Sequence, residues 1–267
     1  MSVTRTTELR RLADGGRGRV ALGVLGALVA VLAWSAVSGS SENIYFPSLL
    51  EILERTAAYW PTPEGVDNLT ASLRTLGAGL GLAVLVGVAA GLLIGQVPVV
   101  AQTVSPALEF VRAIPATALV PFAMMLFGVG DEMKVFLIAL GCVWPILLNT
   151  ADGARGLDAT LLDTARVFHV TGLRRALGVV VPAVLPRVLV GVRIAVPLSL
   201  ILMVTSEMVG AQRGLGYVIT QAQATFQLLT MWSGIVVLGV LGFLLTTAYS
   251  ALERLLLRWC DPKRVSS

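Results

Sequence analysis

The sequence is poor in everything that hydrolytic or metal chemistry usually needs. Its 267 residues include one histidine, His169, two cysteines, Cys142 and Cys260, and two lysines, Lys134 and Lys263. A lone histidine removes most triads and imidazole metal sites, and the cysteine spacing suggests neither a ligand cluster nor a disulfide framework. Both thiols read as buried or free. There is no Gly-x-x-x-x-Gly-Lys-Ser/Thr phosphate loop, and neither lysine follows a glycine, so the chain has no such cradle for ATP. A Gly-x-Ser-x-Gly elbow and a His-Glu-x-x-His pair are also missing. The expectation is no catalytic residue, no metal and no cofactor. Charge is scarce too. Charged residues make up 13% of the chain and the net charge is +4, confined mostly to tails and loops, which leaves a nucleic-acid partner without support.

Apolar residues are abundant. They form 56% of the chain, against about 45–50% in soluble proteins, and charged residues fall well below the usual ~25%. With a mean hydropathy of +0.83, the composition is that of a polytopic membrane protein.

Five arginines precede an uncharged run from Val20 to about Ser40, long enough for a core of ~30 Å. A cleaved signal peptide is the alternative. The run exceeds the ~7–15 residues of an h-region, which favours a retained first span with a cytoplasmic N-terminus. Ser41–Asn68 is acidic, aromatic and punctuated by Pro47, Pro61 and Pro63, as suits an external interfacial loop with a short helix over Leu49–Trp60. A second span follows over about Ala71–Gly95, with Gly77, Gly79, Gly81, Gly87 and Gly91 providing small residues for close helix packing.

The third span, about Ser105–Leu126, is interrupted by Pro115 and Pro121, so a kink or break is expected there. Glu109 and Arg112, three apart, share a helix face and can pair. Asp131, Glu132 and Lys134 read as an external turn. Spans four to six are expected at about Val135–Asn149, Val188–Met208 and Met231–Leu252. Fourteen of the 20 basic residues then fall on the proposed cytoplasmic side and three outside, consistent with six spans and both termini inside. A coupled carrier usually carries ionisable groups deep in its helices. Here Glu109, Arg112, Arg193 and Glu207 all fit helix ends equally well.

One polar island remains, between the fourth and fifth spans. Leu157–Arg187 reads LDATLLDTARVFHVTGLRRALGVVVPAVLPR. Asp158 can cap a first short helix, with Leu161, Leu162, Ala165 and Phe168 on one face and Asp163 and Arg166 on the other. The small Thr164 and Ala165 suit close apposition to a partner. The helix is expected to stop near Phe168–His169, with His169 filling a left-handed turn position. Thr171 can cap a second helix from Gly172, with Leu173, Ala176, Leu177 and Val180 inward and Arg174 and Arg175 outward. Pro182 and Pro186 mark re-entry to the membrane. Patterning alone is equally compatible with an ordinary cytoplasmic helix hairpin.

The order Asp163-Thr164-Ala165, then His169, Val179, Val181 and Pro182, resembles the EAA loop of permease subunits of bacterial ABC importers. Asp163 stands where Glu is usual, and His169 where Gly is usual. Arg112, Ile114, Pro115, Pro121, Phe127, Gly128 and Gly130 resemble the sulfonate, taurine and nitrate importer permeases in particular. Phe46-Pro47-Ser48 and Ser72-Leu73-Arg74 match the same group, so the resemblance runs from Phe46 to Arg258. It implies an all-α type I importer permease fold in the bacterial inner membrane. Residues 1–19 would form a cytoplasmic tail, 20–258 the transmembrane domain with a coupling loop at about 151–187, and 259–267 a second cytoplasmic tail. The implied partners are ABC ATPase subunits, a second permease subunit (a homodimer), an external substrate-binding protein and lipid. The implied ATPase-docking residues are Leu161 to Arg166, Phe168 to Gly172, and Pro182. Val170 and Thr171 fall within that set. Arg112, Trp144 and Glu207 are the candidates for the solute path. Two other classes compete: a secondary carrier or channel, which would transport without an ATPase, and a scaffold or sensor, which would bind one without translocating.

Overall fold

The computed structural model describes residues 45–259, together with 26, 29, 31–36 and 38. The tails expected at 1–19 and 259–267 lie essentially outside these residues, as does Cys260. So does most of the first expected span, of which 31–36 are helical. The described residues form helices and turns, with no strand among them.

Helix α1, Leu49–Tyr59, starts where the sequence marks a start. Ser48 Oγ accepts from Glu51 N at 3.3 Å while Glu51 Oε2 accepts from Ser48 N at 3.0 Å, a reciprocal cap. Helix α2, Pro63–Gln96, begins about one membrane-interface loop earlier than its apolar run suggests. Thr62 caps it through Gly65 N at 3.2 Å, and Pro63 fits its first turn. Tyr59 Oη donates to Glu64 Oε1 at 3.2 Å across this corner. Burial and the neighbouring carboxylate push the phenol above its ordinary range, so it stays a neutral donor.

Helix α3 is Pro98–Ala113. A 3₁₀ turn at Ala116–Leu119 and helix α4, Val120–Phe127, follow after an 80° bend. The bend falls at Pro115, whose ring disfavours helical backbone at Ile114. Of the kink or break expected there, the chain makes the break. Helix α5, Asp131–Arg155, takes in the residues expected as an external turn. Asp131 and Glu132 form its first turn, and Lys134 is buried against the bundle with its ammonium 3.0 Å from Asp131 Oδ1. Acidic side chains at a helix N-terminus are favoured by its dipole, which explains why helix rather than turn forms here.

Beyond the polar island, helix α8, Val181–Met208, is continuous with the preceding π-turn at Ala176–Val180 and the short helix α7 at Gly172–Arg175. Pro182 and Pro186 therefore do not interrupt the helix. The wider π-turn just before Pro182 accommodates a residue that can neither donate an N–H nor tolerate the preceding carbonyl. The stretch between the fifth and sixth expected spans contains helix α9, Leu215–Ala224, with Leu215, Val218, Ile219 and Ala222 buried. Helix α10 is Leu228–Leu256. Among the described residues, four helices are long and apolar enough to cross a membrane, and the broken pair α3/α4 makes a possible fifth.

Helix α5 is the central post. Ile138, Cys142 and Ile146 are fully buried on it, between α2 on one side and α8 on the other. The close approach of α2 depends on Gly79, Gly87, Gly91 and Gly95. A Cβ at Gly87 would stand 2.9 Å from Ile146 Cγ2, and one at Gly91 2.6 Å from Thr150 Cβ. Gly77 and Gly81 face open space, so the five expected glycines divide between two faces. Helix α10 is held at its C-terminal end, where Glu253 accepts from Arg193 Nε at 3.1 Å and Tyr249 Oη donates to the Leu189 carbonyl. At its N-terminal end Trp60 Nε1 donates to Ser233 Oγ at 3.3 Å.

Candidate docking loop and broken helix

The loop between α5 and α8 opens with helix α6, Ala159–Val167. Asp158 Oδ1 accepts from Thr160 N at 2.8 Å, as the sequence suggests. The C-terminus closes by two bonds: His169 N to Arg166 O at 2.9 Å, and Val170 N to Ala165 O, also 2.9 Å. That is the Schellman arrangement, which requires a left-handed residue at the position His169 occupies. His169 has φ +55°, and Gly172 follows with φ +56°. The two left-handed residues turn the chain from α6 into α7. Thr171 sits at the N-cap of α7, but its side chain makes no capping bond.

The faces of this loop differ from the amphipathic expectation. Ala165 and Val180 are buried and Leu162 half-buried, but Phe168 is 74% exposed, Leu173 72% and Leu177 60%. Val167 and Leu161 are exposed beside them. The loop touches the bundle through too few positions to bury both apolar faces, so one is left outward. Thr164 and Asp163 are exposed, and Asp163 Oδ1 is 2.7 Å from Arg166 Nη1. Large exposed apolar side chains beside charge mark a surface for protein contact. Pro182 lies just beyond, at the start of α8.

The second feature is the break between α3 and α4. A cavity of about 300 Å³ opens there, lined by Arg112 and Ile114 of the α3 end, Ala116 and Thr117 of the 3₁₀ turn, Trp144 of α5 and Leu202 of α8. Gly141 allows this meeting: an added Cβ would collide with Leu202 Cδ1 and lie 3.3 Å from Ala116 Cβ. Arg112 forms no ion pair among the described residues, and the expected pair with Glu109 is not made. Trp144 is half-buried beside it.

Glu207, placed by sequence with these two, lies elsewhere. It is 1% exposed, at the C-terminal end of α8, and two donors meet its carboxylate. Ser72 Oγ stands 2.7 Å from Oε1, and Gly216 N donates to Oε2 at 2.9 Å. Ser72 Oγ in turn accepts from Leu215 N at 2.8 Å, and Asn68 Oδ1 accepts from Gly214 N at 2.9 Å. The carboxylate thus ties α2, α8 and the start of α9 together, with Gly214 at φ +128°. Ser72 stands out only within the Ser72-Leu73-Arg74 match, which says nothing of a carboxylate partner, and Asn68 carries no sequence signal of its own. The signal is Glu207: a carboxylate at the end of a span requires donors, and a Gly-x-Gly shortly after it provides exposed backbone N–H groups.

The family model of the binding-protein-dependent transport system inner membrane component matches residues 83–258. An ABC transporter permease protein of Brucella melitensis is 30% identical over 89% of this chain and 96% of its own length. The taurine transport system permease protein TauC of Escherichia coli is 27% identical, covering 90% of this chain and 89% of its own. The bicarbonate transport system permease protein CmpB of Synechococcus elongatus is 30% identical over 88% of both. Among solved structures, an inward-facing MetNI methionine ABC transporter has a chain that superposes with a TM-score of 0.58 at 20% identity, covering 72% of this chain and 95% of that one. The chain belongs to the family of inner membrane components of binding-protein-dependent transport systems.

Proposed function

We propose that this chain is the permease subunit of an ATP-driven importer, and that Asp158–Gly172 is the lever on which a separate ATPase subunit docks. The observation that carries this reading is the outward apolar surface of Val167, Phe168, Leu173 and Leu177 around the left-handed turn at His169. Such a surface in water needs a partner. Leu161, Leu162, Asp163, Thr164, Ala165, Arg166, Val170 and Thr171 complete the docking element, and Pro182 joins it to α8. The chain itself has no phosphate loop, so hydrolysis belongs to the partner.

Helix α8 continues the docking element without interruption, so force applied at α7 reaches the outer end of the bundle along one rigid rod. Closure of two ATPase subunits would swing this rod against α5 and reopen the path on the other side, a two-state alternation of access. A second copy of the chain faces α3 and α4. Helix α3 buries no residue within the single chain, and Phe122 and Met125 of α4 are exposed. Both termini are cytoplasmic by the distribution of arginine and lysine. An external binding protein delivers the solute, which passes Arg112 and Trp144. Glu207 acts as a structural tie at the outer gate. The solute is a small molecule of the taurine, sulfonate or nitrate type. Affinity purification of the tagged chain from its native membrane tests the reading: an ABC ATPase co-purifies, and Phe168→Asp together with Leu173→Asp abolishes its recovery. Recovery unchanged by those substitutions would remove the loop from the docking role.

A further inference from the structure

Three bonds set α1 across α10 rather than along it. Trp232 Nε1 donates to the Tyr45 carbonyl at 3.1 Å, Arg55 Nε to Thr230 Oγ1 at 3.0 Å, and Trp60 Nε1 to Ser233 Oγ at 3.3 Å. Helix α1 alone is ~16 Å long, yet the contacts before, within and after it all fall on one ~5 Å turn of α10. A helix lying along α10 would meet successive turns instead. That turn lies at the N-terminal end of an apolar span, and Pro63 begins another span directly after α1. Helix α1 therefore runs in the plane of one membrane face, the external face on the sidedness proposed above. Around its axis the side chains divide into three sectors. Ile52, Thr56 and Tyr59 turn towards the bundle, buried or half-buried. Leu50, Leu53 and Ala57 form an exposed apolar stripe, and Glu51, Glu54 and Ala58 an exposed stripe beside it that carries the acids.

We infer that α1 is an interfacial helix seated on phospholipid, with the Leu50, Leu53 and Ala57 stripe in the acyl boundary and the Glu51 and Glu54 side in water. The lipid-facing surface of α10 runs directly into this stripe, since both meet at the same turn. Aromatic groups gather at that level, as they do where a span leaves the hydrocarbon. The Trp34 and Trp232 rings pack edge-on with centroids 4.8 Å apart, and Phe46 lies against both. Phe226, four residues before Thr230, holds an exposed ring on left-handed backbone at φ +56°. The acyl chains rather than headgroup charge are the ligand. Arg55, the one base of α1, is already engaged by Thr230 and lies 5.5 Å from the Tyr59 ring centroid, and the acids beside the stripe repel anionic headgroups. The inference goes beyond the importer reading and does not depend on it, needing only that α2 and α10 cross the membrane.

Collision accessibility tests this. The full-length chain carries Cys260→Ser, while Cys142 is fully buried and stays. Leu50→Cys, Leu53→Cys, Glu54→Cys, Ala57→Cys and Ala58→Cys are made singly and labelled with a nitroxide. In vesicles of phosphatidylethanolamine and phosphatidylglycerol, relaxation by oxygen, which concentrates among acyl chains, is compared with relaxation by a water-soluble nickel chelate. The oxygen-to-nickel ratio should be several-fold higher at Leu50, Leu53 and Ala57 than at Glu54 and Ala58, so that it drops sharply between the neighbours Leu53 and Glu54 and again between Ala57 and Ala58. The pattern should be the same in phosphatidylcholine alone. All five positions are exposed and read one helix, so a single misfolded variant leaves the others to decide. Nickel-dominated relaxation along the apolar stripe (a face open to water), poor access of both probes to it (a face covered by the first span, a second copy or another protein), equal ratios at all five positions, or a high ratio confined to anionic vesicles would each overturn the inference.

Discussion

The carboxylate of Glu207 on α8 accepts the hydroxyl of Ser72 on α2 at 2.7 Å, with both side chains sealed from solvent. This contact ties the C-terminal end of α8 to α2 and, through Leu215 N on Ser72 Oγ and Gly216 N on Glu207 Oε2, to the start of α9. Removing Ser72 leaves a buried carboxyl group and a backbone N–H each short of a partner, at a cost of about 1–3 kcal/mol. Ser72→Ala should therefore lower the melting temperature of the detergent-purified chain, and Ser72→Thr should lower it less. Gly214→Ala should lower it as much or more, because its Cβ would meet the Glu207 carboxylate at a left-handed φ. Thermal unfolding followed by tryptophan fluorescence measures all three.

His169 holds a position that glycine fills without strain. The left-handed conformation costs a non-glycine residue of order 1 kcal/mol, and more for a β-branched one. His169→Gly is expected to leave ATPase recovery equal or improved, and His169→Val to reduce it while the membrane helices remain folded. Loss of the ATPase on purification of His169→Gly would show that the imidazole itself makes the contact.

The glycines of α2 separate packing from composition. Gly87→Leu forces α2 off Ile146 and should destabilise the chain by about 1–3 kcal/mol, whereas Gly81→Leu meets open space and should be near neutral. Melting temperatures of the two variants side by side decide the point.

These sites show what the sequence made legible. The cap at Asp158, the stop near Phe168, the left-handed His169 and the break at Pro115 were all readable, because each depends on local backbone chemistry. The outward faces of Leu173 and Leu177 were not, since periodicity says that a face is apolar but not whether the rest of the same chain covers it. Glu207 was visible as an isolated carboxylate, but its partners Ser72, Gly214 and Gly216 come together only through the crossing of α2 and α8. Helix α9 was hidden for a related reason. Its short length and its two glutamines resemble a loop, and only its burial against α10 reveals the helix.

The central claim is that this chain moves solute only when an ATPase drives it. Proteoliposomes containing the chain with its co-purified ATPase and its external binding protein should accumulate the solute that the binding protein carries, on addition of ATP. The same chain reconstituted alone should accumulate none, with or without an ion gradient. Uptake by the chain alone would contradict the account and place it among carriers or channels.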